Sequence, residues 1–272
     1  PTIIGSDPFF PAFISGVESV LADAGRVMVL SVVPDEEREL ATYRKLAAES
    51  RVDGVFLTDL RHADPRIALL DDLGLPAITL GRPDVPSGFP VIDRDYGQGI
   101  DAVVERLRAL GHVRIAHVAG DDRMLHGTRR RDQFTEAVTS RGGEAVVVAA
   151  DFSPDAGAQA THSLLSSENP PTAIVFANDP MAIAGMAVAQ ELGRRLPDDL
   201  SITGMDGSEM SRYLFPPLAT VGNDPAEWGR AAARSLLTLI ETGASDDVTL
   251  PAAAFIPRGS IAPPPTVAPS TR

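Results

Sequence analysis

The sequence has no cysteine among its 272 residues. This absence excludes a disulfide framework, catalysis by a thiol and zinc sites with cysteine ligands. No apolar run approaches the roughly 18 to 20 residues that a helix needs to span a bilayer. The first residues also lack the basic segment followed by an apolar stretch that marks a signal peptide, although the sequence leaves open one that has been removed.

Positive charge is scarce in this sequence. Lysine and arginine together number 24 against 37 aspartate and glutamate residues, which gives a formal net charge of −13. A module that surrounds DNA phosphates is expected to be basic, so this chain alone should not bind DNA specifically. The single lysine, Lys45, lies in a predicted helix, which excludes a phosphate-binding P-loop.

Catalytic and cofactor motifs are also missing. Gly97 to Ala102 matches a dinucleotide fingerprint, but the strand before it is too short for that fold. The spacing of His112 and His117 does not place them on one helical face, so no metal site is predicted. Because no nucleophile–base pair or acid–base pair is evident, we expect a protein without enzymatic activity, cofactor or metal.

The patterns that are present alternate between apolar strands and amphipathic helices. With 44% hydrophobic residues, the chain is long enough to bury two modest cores. Five or more strand–helix units without a hairpin signal predict an α/β fold with parallel sheets covered by helices on both faces. One predicted strand is Val27–Val33. Residues 263–272 contain four prolines and no core-forming run, so a disordered tail is expected.

The most informative stretch is residues 170–206, which reads as strand, helix and strand. Asp179 precedes Pro180, the usual arrangement of a helix N-cap followed by proline at the first helical position. Asn178 follows the first strand and Asp206 follows the second. Ligands bind beyond the carboxyl ends of parallel strands, so Asn178 and Asp206 are predicted to contact a ligand.

Residues at other helix starts indicate further contacts. Phe9 and Phe10 lie about 100° apart on a predicted helix, so both cannot face one core and one should face a cleft. Phe152 stands in a predicted loop, where a large ring needs something to cover it. Asp7 could serve as a helix cap. The basic triplet Arg129 to Arg131 is by itself typical of a solvated face.

Several of these blocks, in this order, closely resemble the lactose-repressor/galactose-repressor family of bacterial transcription regulators. The resemblance runs from Asp7-Pro8-Phe9-Phe10 to about Ile261 and includes VDGVFL, LGHVRIAHVAG and the 170–206 stretch. It implies two Rossmann-like lobes of the periplasmic-binding-protein type, joined by three crossovers. The first lobe would comprise residues 1–111 and 224–243, and the second residues 113–222 and 248–262.

The resemblance also implies roles for particular residues in a cleft between the lobes. Arg130 matches an arginine that binds the effector, and Phe152 matches a wall of the pocket. Asn223 and Tyr96 match further contact positions, whereas the family usually has asparagine in place of Asp7. The expected effector site therefore consists of Asp7, Phe9, Phe10, Tyr96, Arg130, Phe152, Asn178, Asp206 and Asn223.

The function that the resemblance implies is that of a ligand-sensing and dimerisation core. A sugar or sugar derivative is expected as the effector, and a purine would also satisfy these side chains. The family pairs as a homodimer, for which apolar residues of helix 36–50 and strand 52–57 should supply one patch.

Operator DNA would be bound only through a helix-turn-helix domain outside this sequence. The family has a full strand before its Phe-Phe motif, where this chain has only Thr2 to Ile4. The sequence is therefore expected to be clipped at its N-terminus. The function expected for it is that of the core of a cytoplasmic regulator. A periplasmic sugar-binding protein of a transporter is the alternative, and an α/β enzyme acting on sugar phosphates is a second one.

Overall fold

The computed structural model describes residues 9–265 of the chain. Its helices are α1 Phe9–Leu21, α2 Glu36–Ala48, α3 Pro65–Asp72, α4 Gly97–Ala109, α5 Leu125–Ser140, α6 Pro154–Leu165, α7 Asp179–Glu191 and α8 Pro225–Thr242. Its strands are β1 Val55–Leu57, β2 Ala77–Leu80, β3 Val91–Arg94, β4 Arg114–Val118, β5 Glu144–Val148, β6 Ala173–Phe176, β7 Ser201–Asp206, β8 Ala219–Gly222, β9 Val248–Leu250 and β10 Ala254–Ile256. A short 3-10 helix covers Glu209–Tyr213. Asp7 and most of the expected tail lie outside the described residues.

The described chain divides into two compact units. Unit 1 contains residues 9–95, 123–126 and 224–251, and unit 2 contains residues 96–122, 127–223 and 252–265. These boundaries differ from the expected ones at α4, which the resemblance places in the first lobe, and at residues 248–251, which it places in the second. The helix belongs to unit 2 because Ile100, Val104 and Leu107 are buried in one core with Ile115 and Val221.

The sheet of unit 1 has four strands in the order β1-β2-β3-β9, and all of them are parallel. The strand β9 was not predicted from the sequence. It spans only three residues, and its pairing with β3, in which Val248 lies beside Ile92, is what makes it a strand. This pairing explains why residues 244–251 belong to unit 1.

Helices α1 and α8 pack in direct backbone contact in unit 1. A Cβ atom at Gly16 would overlap the carbonyl group of Ala226, and one at Gly229 would overlap the carbonyl oxygen of Phe13. The same added atom at Gly229 would lie 2.8 Å from the Val17 nitrogen. Because protein interiors are close-packed and these neighbours are backbone atoms, both positions require glycine.

The predicted strand Val27–Val33 is wrong, since the structure assigns no strand to these residues. Val27 is 81% exposed, and Val29, Leu30 and Val32 are exposed as well. An apolar run becomes a strand only when another strand pairs with its N–H and C=O groups. Within residues 9–265, no strand ladder includes this segment. The apolar pattern alone could not decide its structure.

The sheet of unit 2 has six strands in the order β10-β8-β7-β6-β4-β5. All neighbouring pairs are parallel except β10 with β8. Helices α6 and α7 enclose one core cluster around Phe176, and α4 and α5 enclose another around Phe134. The predicted α/β fold with helix-covered parallel sheets is confirmed. The carboxyl ends of β4, β6, β7 and β8 consequently share one edge of this sheet.

The residues from 9 to 265 include no helix that combines the length and apolar character needed to cross a membrane.

Gly229→Ala should destabilise unit 1, because the new methyl group would overlap the backbone of α1. Overpacking costs about 1–3 kcal/mol. Against rigid backbone atoms this cost should exceed the gain of about 1 kcal/mol that alanine brings to a helix interior. The free energy of unfolding, measured by urea titration, should therefore fall. Gly88→Ala is the control, since no atom lies within 4 Å of its added Cβ. Equal stability of the two variants would contradict the close approach of α1 and α8.

Candidate functional site

Three of the polar residues expected to bind a ligand lie at the carboxyl edge of the unit 2 sheet. Asn178 comes two residues after β6, Asp206 is the last residue of β7, and Asn223 directly follows β8. These three strands are adjacent in the sheet. The edge therefore gathers one carboxylate and two amides where parallel sheets bind their ligands.

Asn178, and not Asp179, is the N-cap of α7. Its Oδ1 accepts a hydrogen bond from the Met181 N–H at 2.9 Å, and its backbone is extended, with φ −152° and ψ 165°. The cap predicted at Asp179 is wrong by one residue, because the capping side chain must come from the last extended residue before the helix. The Nδ2 of Asn178 donates to the Phe152 carbonyl oxygen at 2.9 Å, which ties the Phe152 loop to this helix start.

Phe152 has a left-handed backbone, with φ 69°. Its ring covers Gly120 so closely that a Cβ atom there would overlap it, and an added Cβ at Gly127 would lie 3.6 Å from its Cζ. A left-handed conformation is uncommon for a bulky residue and persists when its surroundings hold it. The bond from Asn178 is one such restraint, so unit 2 itself sets the place of this ring.

Arg130 is the member of the basic triplet that turns inward. It is 9% exposed, and its Nη1 donates to the Ala177 carbonyl oxygen at 3.1 Å. Its guanidinium lies 4.3 Å from the centroid of the Tyr96 ring, a distance typical of a cation–π contact. Its Nε is buried and has no hydrogen-bond partner in the part of the chain that the structure describes. Arg131, in contrast, forms ion pairs with two surface aspartates.

Asp206 and Asn223 end neighbouring strands. Asp206 is half-buried and pairs in register with Gly222, the residue before Asn223. Its φ of 113° is a strained conformation for any residue other than glycine. Both amide atoms of Asn223 are buried, and neither has a hydrogen-bond partner among the described residues. A buried amide without partners is destabilising, so Asn223 is suited to bond a polar ligand or a water molecule.

Phe9 and Phe10 lie on α1 and form an aromatic cluster within unit 1. The Phe9 ring stacks on Phe13 with centroids 5.8 Å apart, and it meets Trp228 edge-on at 6.5 Å. Phe10 meets Phe9 edge-on at 5.5 Å. Contact of either ring with a ligand stays a prediction. The sequence pattern did not identify Trp228, although its position in the first turn of a helix that follows a strand end is a usable signal.

His117 lies in the buried layer beneath this edge. Its ring stacks on Phe134 with centroids 4.9 Å apart, and its Nδ1–H donates to the Val175 carbonyl oxygen at 2.9 Å. Burial, together with the charges of Arg130 and Arg131, lowers the pKa of His117 to about 4. His117 is therefore neutral at physiological pH. Among residues 9–265, no group of three His, Cys, Asp or Glu side chains could hold a metal ion.

Comparison with known proteins identifies the family of this chain. Residues 104–261 match a periplasmic binding protein-like domain. The transcriptional regulator CelR of Thermobifida fusca is 33% identical over 253 residues, which cover 90% of this chain and 73% of CelR. The chain belongs to the LacI family of transcription regulators.

Two solved structures extend the comparison over nearly the whole chain. A LacI-family regulator from Bifidobacterium animalis subsp. lactis shares 33% identity with a TM-score of 0.88, covering 95% of this chain and 96% of that one. The CelR–cellobiose complex shares 30% identity with a TM-score of 0.87, covering 95% and 81%. The implied family is confirmed, and these relatives are regulators rather than enzymes. This LacI-family chain is the ligand-sensing core of a bacterial transcription regulator, and the transporter alternative is not favoured.

The stability of this core should depend on His117 at mildly acidic pH. The unfolded chain binds a proton at the ordinary pKa of 6.5, whereas the folded chain binds one at His117 only near pH 4. The free energy of unfolding is therefore highest above pH 6.5. It falls as the pH decreases toward 4, because in this range the unfolded chain binds the proton and the folded chain does not. Between pH 6.5 and 5 the free energy of unfolding should fall by about 2 kcal/mol from this group.

Urea unfolding of the native protein and of His117→Gln at both pH values measures this contribution. His112, whose pKa is also lowered by burial, titrates in both proteins and so cancels in the comparison. An identical pH dependence in the two proteins would contradict a neutral, buried His117.

Proposed function

We propose that this regulator core binds a small polar effector, a sugar or sugar derivative, at the carboxyl edge of the unit 2 sheet. The observation that carries the proposal is the Asn223 amide, which is buried at that edge without a hydrogen-bond partner among the described residues. Such an amide can both donate to and accept from the hydroxyl groups of a sugar. The solved complex of CelR with cellobiose supports the choice of a sugar.

The other residues of the edge have complementary roles in this proposal. Arg130 directs a planar set of donors at ligand oxygens, and its unpartnered Nε leaves one of them unused. The Asp206 carboxylate accepts hydrogen bonds from hydroxyl groups. Tyr96 and Phe152 offer ring faces on which the apolar face of a sugar can pack. Asn178 holds the loop of Phe152 and lies within the same edge.

Three further expected contacts rest on the sequence and on the family resemblance. Phe9 and Phe10 belong to unit 1, and Asp7 lies outside the described residues. We propose that the phenylalanines pack on the effector and that Asp7 bonds to it. The effector can change operator binding only as far as it binds one conformation of the core more tightly than another.

We further propose that DNA binding resides in a domain outside this sequence and that the regulator acts in the cytoplasm. The net charge of −13 supports this division, because a surface that binds DNA phosphates is basic. The proposed function includes no catalytic step, since the roles assigned to Arg130, Asp206 and Asn223 are hydrogen bonds to the effector.

A thermal-shift screen with cellobiose, glucose, ribose, nucleosides and purine bases tests the effector class. A ligand that binds only the folded protein raises the melting temperature by mass action. A rise with one of the sugars and none with the purines is expected. A rise with the purines alone would show that the effector is a purine and not a sugar. No rise with any of these compounds would contradict both effector classes.

Arg130→Ala should weaken the binding of that sugar about tenfold to a hundredfold, because a hydrogen bond to a charged group contributes about 1.5–3 kcal/mol. The matched control is Arg131→Ala, which removes the next arginine of the same helix. Its partners are Asp122 and Asp132 at the surface, so affinity should change less than about twofold. Titration calorimetry measures both. Unchanged affinity in Arg130→Ala would mean that Arg130 does not contact the sugar and serves only its hydrogen bond to Ala177.

We also propose that the core forms a homodimer. The expected apolar patch on helix 36–50 and strand 52–57 is partly exposed, since Leu40, Tyr43 and Leu46 are half-buried. Large apolar side chains are exposed elsewhere, at Tyr213 and, 90% exposed, at Phe215. Because exposed apolar patches are typical of interaction sites, we propose that these two side chains belong to the dimer interface.

Phe215→Asp should convert the dimer to a monomer, because a carboxylate is poorly tolerated in an apolar interface. Light scattering at tens of micromolar measures the mass. Val113→Asp is the control, since Val113 is also an exposed apolar residue of unit 2. A native protein that is monomeric would contradict the proposal, and a Phe215→Asp variant that stays dimeric would place the interface elsewhere.

A further inference from the structure

Asp179 is a buried carboxylate that the cap of α7 does not use. Its Oδ1 accepts a hydrogen bond from the Thr220 hydroxyl at 2.7 Å, and its Oδ2 accepts one from the Ser208 N–H at 2.7 Å. The Thr220 Oγ1 in turn accepts from the Gly207 N–H at 3.2 Å. The two residues that follow Asp206 are thus both held by Asp179, one directly and one through a hydroxyl group.

Burial of the Asp179 carboxylate is unfavourable, because the carboxylate loses its hydration. Burial raises the pKa of its carboxyl group, and the hydrogen bonds from Thr220 and Ser208 oppose that rise. A buried carboxylate persists only when hydrogen bonds replace the water that it has lost. Here those hydrogen bonds are donated by the chain immediately after Asp206 and by the strand beside it.

Glycine at two positions makes this arrangement fit. A Cβ atom at Gly204 would overlap Oδ1 of Asp179, and one at Gly207 would lie 2.7 Å from the Gly222 Cα. Gly207 has φ 70° and Asp206 has φ 113°, so the chain turns sharply at the end of β7. A strained aspartate backbone persists when its surroundings over-determine it. The hydrogen bonds of Asp179 act on the two peptide units that follow the strain.

We propose that Asp179 is a positioning residue for Asp206. Through the Ser208 N–H and the Thr220 hydroxyl it fixes the end of β7, so that the Asp206 carboxylate is already oriented when the effector arrives. Preorganised groups bind more tightly because less conformational freedom is lost on binding. This inference rests on the proposed function, since it assigns an effector contact to Asp206.

The first test needs no ligand and uses two buried threonines on adjacent strands. Thr220→Val removes the hydroxyl that links Asp179 to Gly207, and Thr220→Ser restores it. Thr203→Val is the matched control, because Thr203 is equally buried and its Oγ1 has no hydrogen-bond partner among the described residues. Amide hydrogen exchange at Gly207 and Ser208, measured by NMR, should accelerate about tenfold or more in Thr220→Val only. Unchanged exchange in that variant overturns the proposal.

The second test is a double-mutant cycle with cellobiose as the first probe and ribose as the second. Thr220→Val should weaken binding about tenfold in the native background but less than about twofold in Asp206→Asn, because a positioning residue acts through the residue it positions. Thr220→Ser and Thr203→Val should bind like the native protein. An equal loss in both backgrounds overturns the proposal in favour of a general structural role.

The two arms separate this inference from the proposed function. The native protein could bind neither sugar while amide exchange at Gly207 and Ser208 is faster in Thr220→Val and unchanged in Thr203→Val. That result would contradict a sugar effector and support the positioning of Asp206. If sugars bind and exchange does not respond, the proposed function is supported and the role of Asp179 is overturned.

Discussion

Parallel pairing of β6 with its neighbours β4 and β7, and of β7 with β8, is the constraint on which unit 2 depends. Each ladder satisfies backbone groups that would otherwise be buried without partners. Because the strands run in one direction, their carboxyl ends meet at a single edge. Residues that are far apart in the chain, such as Asn178 and Asn223, therefore lie at the same edge of the sheet.

The buried polar groups at this edge divide into those with protein partners and those without. Asn178 and Asp179 bond to backbone and hydroxyl groups of unit 2, and these bonds hold the loops after β5 and β7. Asn223 and the Nε of Arg130 have no such partner within the described residues. Hydrogen bonds of the first kind give the edge its shape, and we propose that groups of the second kind bond to the effector.

Local patterns predicted most of the elements but not their pairing. The Asp-Pro and Ser-Pro sequences at Asp224 and Ser153 mark helix starts because capping and the fixed φ of proline are local effects. The strand at 27–33 was wrong, and β9 was missed, because strand formation depends on a partner that is remote in sequence. Domain boundaries could not be predicted for the same reason. The helix α4 belongs to unit 2 because its apolar face contacts the core of that unit, and these contacts are remote in sequence.

The candidate site shows a similar division. The positions of Asn178 and Asp206 at strand ends could be predicted from the apolar runs before them, whereas Asn223 was implied by the family resemblance. Their contact with a ligand stays a prediction. The contact of Trp228 with Phe9 could not be predicted, because it arises from the packing of α1 against α8. The hydrogen bonds of Asp179 to Ser208 and Thr220 were missed as well, because the sequence favours a cap at this residue and only the structure shows these bonds.

A crystal structure of this chain grown with cellobiose would locate the ligand atoms and so test the proposed effector site. A sugar is expected at the carboxyl edge of the unit 2 sheet, with hydroxyl oxygens about 2.7–3.2 Å from the Asn223 amide and the Arg130 guanidinium. A sugar bound elsewhere, or ordered water alone on both of these groups, would contradict it.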